Sequence, residues 1–501
     1  MAGPRLGQAG LVFVIAAATF LPALHNGLLG DDAILLEQRL DSSRAPSLAA
    51  LFRQSYWDDL HNSSGLYRPL SLAFLLAQRR VFGLDPLGYH VVSLLLHSIC
   101  SILVLRLLWR LVPARAALAG AILFAVHPIH SEAVTTIYGQ EDLWCALFFL
   151  AALSSAGWPS LPSRGALRLG GVALFYLLSL LCKEQGVLLP ALLVFRGQDR
   201  DRRPTDAATD RLEPKLFVLL CPVLVYAALR VNALGALVVP TGAASIAAGY
   251  PWWARANLVI VSIGTYLRLL VVPWGQTTYY GHLREALFGT PALEIGVVLV
   301  TVASFLRLRQ TLGPTVADRA AVVLAITLLP VANVLPIGMV VGERCLYLPS
   351  VGLCVLAAAA YAWLEARSAR TAIAALCAVT VVGIALSVRV AWRWHTPMRH
   401  WETTIADHPR SAGAHARLAL VLLTEVGQKP GGPDDPRITR AEDAVRRALE
   451  INPRNSDAWE GKGRLALLRR DCAGAAAAFQ QMGSRRREGR EFDRLLQPCA
   501  K

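Results

Sequence analysis

The stretch GYHVVSLLLHSICSILVLRLLWRL, residues 88–111, is apolar for the length that a membrane-crossing helix needs and ends at Arg106 and Arg110, with Arg115 just beyond. Blocks of the same character recur at 11–24, 117–126, 143–156, 216–239, 293–306, 320–341, 347–364 and 373–390. With 54% hydrophobic and only 17% charged residues, the 501-residue chain reads as an all-α, polytopic membrane helix bundle. The block at 11–24 has no small-residue cleavage site after it and further spans follow, so it reads as a retained anchor. The net charge of +15 comes mostly from Arg in short connections between apolar blocks. That distribution sets topology and argues against nucleic acid as a partner.

Positive charge on the inner side orients the blocks. The N-terminus with Arg5 lies inside, 25–86 forms a first outer loop, and 127–141 is again outside. The blocks 169–181 and 186–195 read as a hairpin whose polar tip, Lys183-Glu184-Gln185-Gly186, faces out, followed by a cytoplasmic linker at 196–215. Block 216–239 runs outward, and Arg307, Arg309 and Arg319 require 293–306 to run inward. Segment 258–272, flanked by Trp252, Trp253, Trp274, Tyr279 and Tyr280, then reads as a re-entrant or interfacial helix. This parity gives about eleven crossings, a membrane domain at 1–392 and a C-terminal region at 393–501 outside.

That region is polar and repetitive. Trp459, Gly463, Ala475 and Phe479 stand at tetratricopeptide spacing, and Ala441, Val445, Ala448 and Pro453 belong to a preceding unit interrupted by the Gly/Pro-rich insert 427–436. Trp401 and Pro409 supply an earlier half unit; a plain helical hairpin is the alternative. Of nine cysteines, seven lie in or beside apolar blocks and read as small buried hydrophobes; Cys472 and Cys499 lie in polar sequence, where a disulfide is open to them.

Candidate chemistry gathers on the outer face. It collects Asp31, Asp32, Arg68, His127, His130, Glu132, Glu141, Asp142, Lys183, Glu184, Glu343 and Arg344, each at a helix end or break. Acids there supply a general base or a metal ligand, and Arg and Lys grip a phosphate that at this depth belongs to a lipid. Each residue has a plainer reading. Asp31 or Asp32 would cap a helix over 33–39, Arg68 would touch headgroups, and Lys183-Glu184 and Glu343-Arg344 would be local ion pairs. His127-Pro128-Ile129-His130-Ser131-Glu132 matches no standard zinc spacing, so a divalent metal is an option and orientation of other groups the stronger reading.

These residues carry a resemblance. Asp31-Asp32, Tyr67-Arg68-Pro69-Leu70, Gly88-Tyr89-His90-Val91-Val92 with Leu96-His97, the 127–132 run, Cys182-Lys183-Glu184-Gln185-Gly186 and Glu343-Arg344-Cys345-Leu346-Tyr347-Leu348-Pro349-Ser350 resemble, in order, the transmembrane and tetratricopeptide-repeat family of protein O-mannosyltransferases and its bacterial relatives. One departure is Gly139-Gln140, where the family has Gly-Arg.

The resemblance implies an integral-membrane glycosyltransferase fold of the C type, a polyprenyl-phosphate sugar donor, and an outer-loop acid, Asp31 or Asp32, as the base. On that basis Arg68, Lys183 and Arg344 are expected to bind the donor phosphate, and His127, His130, Glu132, Glu184 and Glu343 to orient the site, while the repeats take a protein or peptide acceptor. Besides the lipid-linked donor, no cofactor is expected with certainty. The rivals are a non-enzymatic membrane-anchored scaffold that captures a partner through its repeats, and a flippase or ligase for lipid-linked sugar.

Overall fold

The computed structural model describes residues 4–41, 46–57, 65–156, 165–196, 212–238, 250–277, 280, 283, 287–334, 339–429 and 435–482. Tyr279, Cys499, most of the 196–215 linker and the centre of the 427–436 insert lie outside these residues. Among the described residues every regular element is helical. The chain divides into two compact units, one of Met1–Gln276 with Thr290–Trp392 and one of Thr277–Gly289 with Arg393–Lys501.

The first unit contains helices α1 Leu6–Thr19, α2 Pro69–Phe82, α3 Pro86–Leu108, α4 Ala114–Val126, α5 Gln140–Ala156, α6 Gly165–Cys182, α7 Leu189–Arg196, α8 Leu212–Leu234, α9 Trp252–Val271, α10 Ala292–Leu312, α11 Pro314–Leu328, α12 Ser350–Glu365 and α13 Ala369–Arg393. Helices α1, α4 and α5 pack on α3, α6 on α5, α8 on α6, and α12 on α4 and α11, around one apolar core. Among the described residues α3, α9 and α13 are long and apolar enough to cross a membrane, and α4 with its continuation Pro128–Thr135, bent by 46°, would make a fourth. Five shorter apolar helices accompany them. This is a multi-pass integral membrane protein with an all-α fold. Eleven crossings would require the shorter helices to span as well.

Helix α9 holds the segment expected to be re-entrant or interfacial. It is one unbroken 20-residue helix, whereas a re-entrant segment needs a turn inside the slab. Its C-terminal half is tied to one end of the bundle: Ser262 Oγ donates to Val340 O at 3.0 Å, Gly342 N–H donates to the Tyr266 hydroxyl at 3.1 Å, and Leu270 O lies 3.0 Å from His127 Nε2. Residues 127, 340 and 342 all belong to the interrupted segments where the charged side chains gather, here termed the cluster end.

Breaks in the helices build that end. Pro128 cannot continue α4, so the chain turns through Pro128–His130 and Ser131–Thr135 before α5 begins. Gly30, at φ 52°, precedes the short helix Asp31–Ala33, which runs on as a π-helical turn Ile34–Arg39. Neither aspartate is the cap, because that position falls to Gly30. The hairpin tip is a 3-10 turn, Glu184–Leu188, and a second such turn, Glu343–Leu346, precedes α12.

In the second unit α14 Pro397–Asp407, α15 Ala412–Gln428, α16 Pro436–Ile451, α17 Ser456–Leu468 and α18 Cys472–Gln480 follow one another in antiparallel contact. Gly463 lets α17 meet the fully buried Phe479 of α18, since a Cβ there would lie 2.1 Å from the ring. Ala441, Ala448 and Ala475 are fully buried and Trp459 is half-buried, its indole N–H donating to Pro453 O at 2.7 Å. Cys472 is disulfide-bonded.

Candidate active site

The breaks bring seven of the ten expected site residues into one neighbourhood. Arg68 caps α2, with Pro69 in the first turn, and its guanidinium bridges two elements. It reaches Glu141 of α5 at 2.7 Å and Glu184 of the hairpin tip through Nε at 2.8 Å and Nη2 at 2.7 Å. Lys183, from the start of the same tip, donates to both Asp142 oxygens at 2.7 and 2.6 Å and to Glu141 at 3.2 Å. Arg344 is held by Glu132 through its backbone N–H at 2.9 Å and through its guanidinium, whose Nε lies 3.8 Å from Asp142.

Neither local ion pair suggested by adjacency forms. Lys183 pairs across to α5 and Glu184 to Arg68, while Glu343 accepts from Gln276 Nε2 at 2.9 Å. In a 3-10 turn successive side chains leave the axis about 120° apart, so neighbours in sequence face different partners. Lys183 is 5% exposed, and its contacts go to three carboxylate oxygens of Glu141 and Asp142. Burial opposes its charge, but Asp142 and Glu141 outweigh that and hold the ammonium above its usual range.

The two aspartates separate. Asp31 is exposed. Asp32 is 1% exposed and its Oδ1 accepts from Tyr138 N–H at 2.7 Å, pinning the first loop to the 136–139 turn. Burial pushes the Asp32 carboxyl up to about 7, against the backbone hydrogen bonds that pull it down. A carboxylate that must accept a proton during turnover needs access, which Asp31 has.

His127 and His130 are buried and hydrogen-bonded within the broken segment and to its neighbours. His127 Nδ1 accepts from Ile129 N–H at 3.1 Å and its Nε2 meets Leu270 O, so both ring nitrogens are engaged. His130 Nε2 lies 2.9 Å from Ser350 Oγ, tying the broken segment to the start of α12. Among the described residues no group of three or more His, Cys, Asp or Glu converges in a way that could hold a metal ion.

Three members of the site carried weaker signals. Tyr138 joins everything on one side: its N–H holds Asp32, its hydroxyl donates to Glu132 at 3.1 Å, and Arg344 lies 4.9 Å from its ring centre. Tyr56 lies under Arg68 at 5.6 Å, buried, with a hydroxyl that has no hydrogen-bond partner among the described residues. Arg230 of α8 approaches Glu184 at 3.9 Å and donates to Gly65 O at 2.7 Å. Gln140, at the position of the family's arginine, is turned away into a buried amide pair with Gln78 at 2.8 Å and also donates to Tyr89 O at 2.9 Å.

Chemically, this is an exposed carboxylate beside a buried lattice of guanidinium, ammonium and carboxylate groups. No family model matches the chain. Among curated proteins it is 26% identical over 417 residues to the mouse protein O-mannosyl-transferase TMTC3, covering 76% of this chain and 45% of the relative. It is 24% identical over 444 residues to the Caenorhabditis elegans protein O-mannosyl-transferase F38B6.6, covering 84% and 61%. Against Drosophila melanogaster Tmtc1, identity is 34% over 186 residues, covering 36% of this chain and 21% of the relative. The resemblance to protein O-mannosyltransferases read from the sequence is borne out as homology, and the chain spans about half the length of the first of these relatives. Among solved structures, ArnT from Cupriavidus metallidurans, bound to undecaprenyl phosphate, is similar with a TM-score of 0.46 and 15% identity, covering 94% of this chain and 78% of that one.

Proposed function

We propose that the protein is a membrane glycosyltransferase that moves a hexose of mannose type from a polyprenyl-phosphate sugar to a hydroxyl acceptor on a protein, chemistry of the kind its relatives' names describe. The observation that carries this reading is the exposed Asp31 next in sequence to Asp32, which the Tyr138 N–H holds at 2.7 Å, with the Arg344 guanidinium 4.9 Å from the Tyr138 ring centre. Asp31 takes the acceptor hydroxyl proton as that oxygen bonds to the anomeric carbon and the bond from that carbon to the phosphate oxygen breaks. The leaving polyprenyl phosphate departs as an anion, so cations serve it better than an acid would, and Arg68 and Arg344 fill that role. Asp32 and Tyr138 position the Asp31 loop, and Lys183, Glu141, Asp142 and Glu132 hold the two arginines. A single displacement needs no second nucleophilic carboxylate and inverts the anomeric centre.

The second unit we read as tetratricopeptide-like and on the same side of the membrane as Asp31, where it presents the acceptor. The parity of positive charge along the chain supports that side. The disulfide at Cys472 fits an oxidising compartment. On this reading both ends of α9 lie on the outer face, along the interface.

Incubating the purified protein with radiolabelled polyprenyl-phosphate hexoses and a Ser/Thr-containing acceptor tests the activity. Labelled acceptor is expected; label released only as free sugar, or not at all, would contradict the assignment.

A further inference from the structure

The proposed phosphate site already contains an anion that belongs to the chain. Among the described residues, ion pairs join four cations, Arg68, Lys183, Arg230 and Arg344, to four acids, Glu132, Glu141, Asp142 and Glu184. A lipid phosphate that simply joined this network would leave buried negative charge without a partner, which is costly. One acid has to give way.

Glu184 is the one built to do so. Its side chain is 34% exposed, whereas those of Glu141, Glu132 and Asp142 are 4%, 3% and 1% exposed and are fixed by Lys183, Tyr138, Arg68 and Arg344. Two Arg68 nitrogens meet one of its carboxylate oxygens, Oε2, through Nε at 2.8 Å and Nη2 at 2.7 Å, charge-assisted contacts that a guanidinium also offers a phosphate oxygen. The Tyr67 N–H reaches it at 3.4 Å and Arg230 Nη1 at 3.9 Å. Donors from the start of α2, the residue before it and α8 thus converge on a single oxyanion at a partly open rim.

We propose that Glu184 is a resident stand-in for the donor phosphate, displaced when the lipid binds, and that Arg68, the Tyr67 N–H and Arg230 make up the subsite it vacates. This rests on the lipid-phosphate reading above and deepens it. Displacement sends the Glu184 charge towards solvent while the phosphate inherits the Arg68 contacts, so the buried charges stay matched.

The test is equilibrium binding of a polyprenyl phosphate to the full-length protein in detergent micelles. Glu184→Gln keeps the shape but removes the competing charge, so it should bind about fivefold tighter than wild type, the scale of one partly exposed ion pair. Arg68→Gln should bind at least about tenfold weaker. Glu184→Ser serves as a second variant should the amide disturb folding, with the same expected gain. If Glu184 instead orients Arg68, both Glu184 variants will bind more weakly; weaker or unchanged binding with normal wild-type affinity overturns the stand-in alone. Absence of binding to wild type and to every variant overturns the lipid-phosphate reading with it. Inorganic phosphate at matched concentration separates the source: the gain is expected for the lipid only, and an equal gain for inorganic phosphate would reassign the cradle to free phosphate.

Discussion

The chain holds charge in two ways, and the cluster end and the C-terminal unit show them side by side. In the C-terminal unit Arg446 and Arg447 flank Glu450, and Arg440 meets Glu402, on exposed helix faces where water screens the attraction. At the cluster end Lys183, Glu141 and Asp142 are buried together, where the same chemistry is expensive to assemble and more expensive to break. Helix ends differ likewise. In the C-terminal unit Thr396, Ser411, Asp435, Asn455 and Asp471 each cap a helix with a side-chain acceptor, whereas in the bundle Asp85 caps α3 so but α1, α2, α4, α9, α11 and α12 have no such cap. Local signals suffice to stop and start helices in water. In the bundle, burial and proline breaks do that work, and the polar groups so released are free to form a site.

The sharpest way to break this contrast is to remove one partner from each kind of pair. Lys183→Ala leaves Asp142 buried without its main cation and should cost about 3–5 kcal/mol, read as a large loss of thermal stability in detergent. Arg447→Ala should leave the same melting curve in place. Equal, small effects would show that the cluster is wet and dispensable.

Next in size is the pH dependence of Asp32. Its carboxyl titrates at about 7 in the fold and near the ordinary value of 3.8 when unfolded, so the fold favours the protonated form. The stability it contributes is complete below about pH 4 and is lost as pH rises to about 7, on the order of 4 kcal/mol in all. Asp32→Asn stays neutral and should flatten that slope, melting above wild type at pH 8. An unchanged slope would remove Asp32 as its source.

In the C-terminal unit the equivalent test is packing. Phe479→Ala empties a fully buried site against Gly463 and should cost about 3 kcal/mol, measured as lost hydrogen-exchange protection in 456–480; Trp459→Ala, half-exposed, should cost less. The smallest effect expected is Ser411→Ala, about 1 kcal/mol for a lost cap. At the level of function, removing residues 408–501 should spare donor binding and impair transfer to a protein acceptor. A scaffold would behave in reverse, with the isolated second unit still capturing its partner.

Much of this was legible in the sequence, and the illegible part has a physical pattern. Ionisable residues at Pro- and Gly-interrupted ends of apolar blocks, Asp31, Asp32, Arg68, Glu132, Lys183, Glu184 and Arg344, are expensive wherever they sit near a membrane, which is why they stand out. Who pairs with whom did not stand out, because Lys183-Glu184 and Glu343-Arg344 are adjacent and suggest local pairs that a 3-10 turn splays apart. Arg230 offered a signal, a cation inside an apolar helix, that a reading of 216–239 as a plain span passes over. Tyr56 and Tyr138 offered almost none, since an aromatic near a membrane surface has a simpler explanation as an interfacial anchor. Charge parity left 258–272 open between a re-entrant and an interfacial helix, because it counts sides and not the path between them.

The central claim is that Asp31 is the base and Asp32 its support. Turnover of the radiolabelled donor should fall about a hundredfold or more in Asp31→Asn while donor affinity stays at the wild-type value. Full turnover in Asp31→Asn would contradict the account.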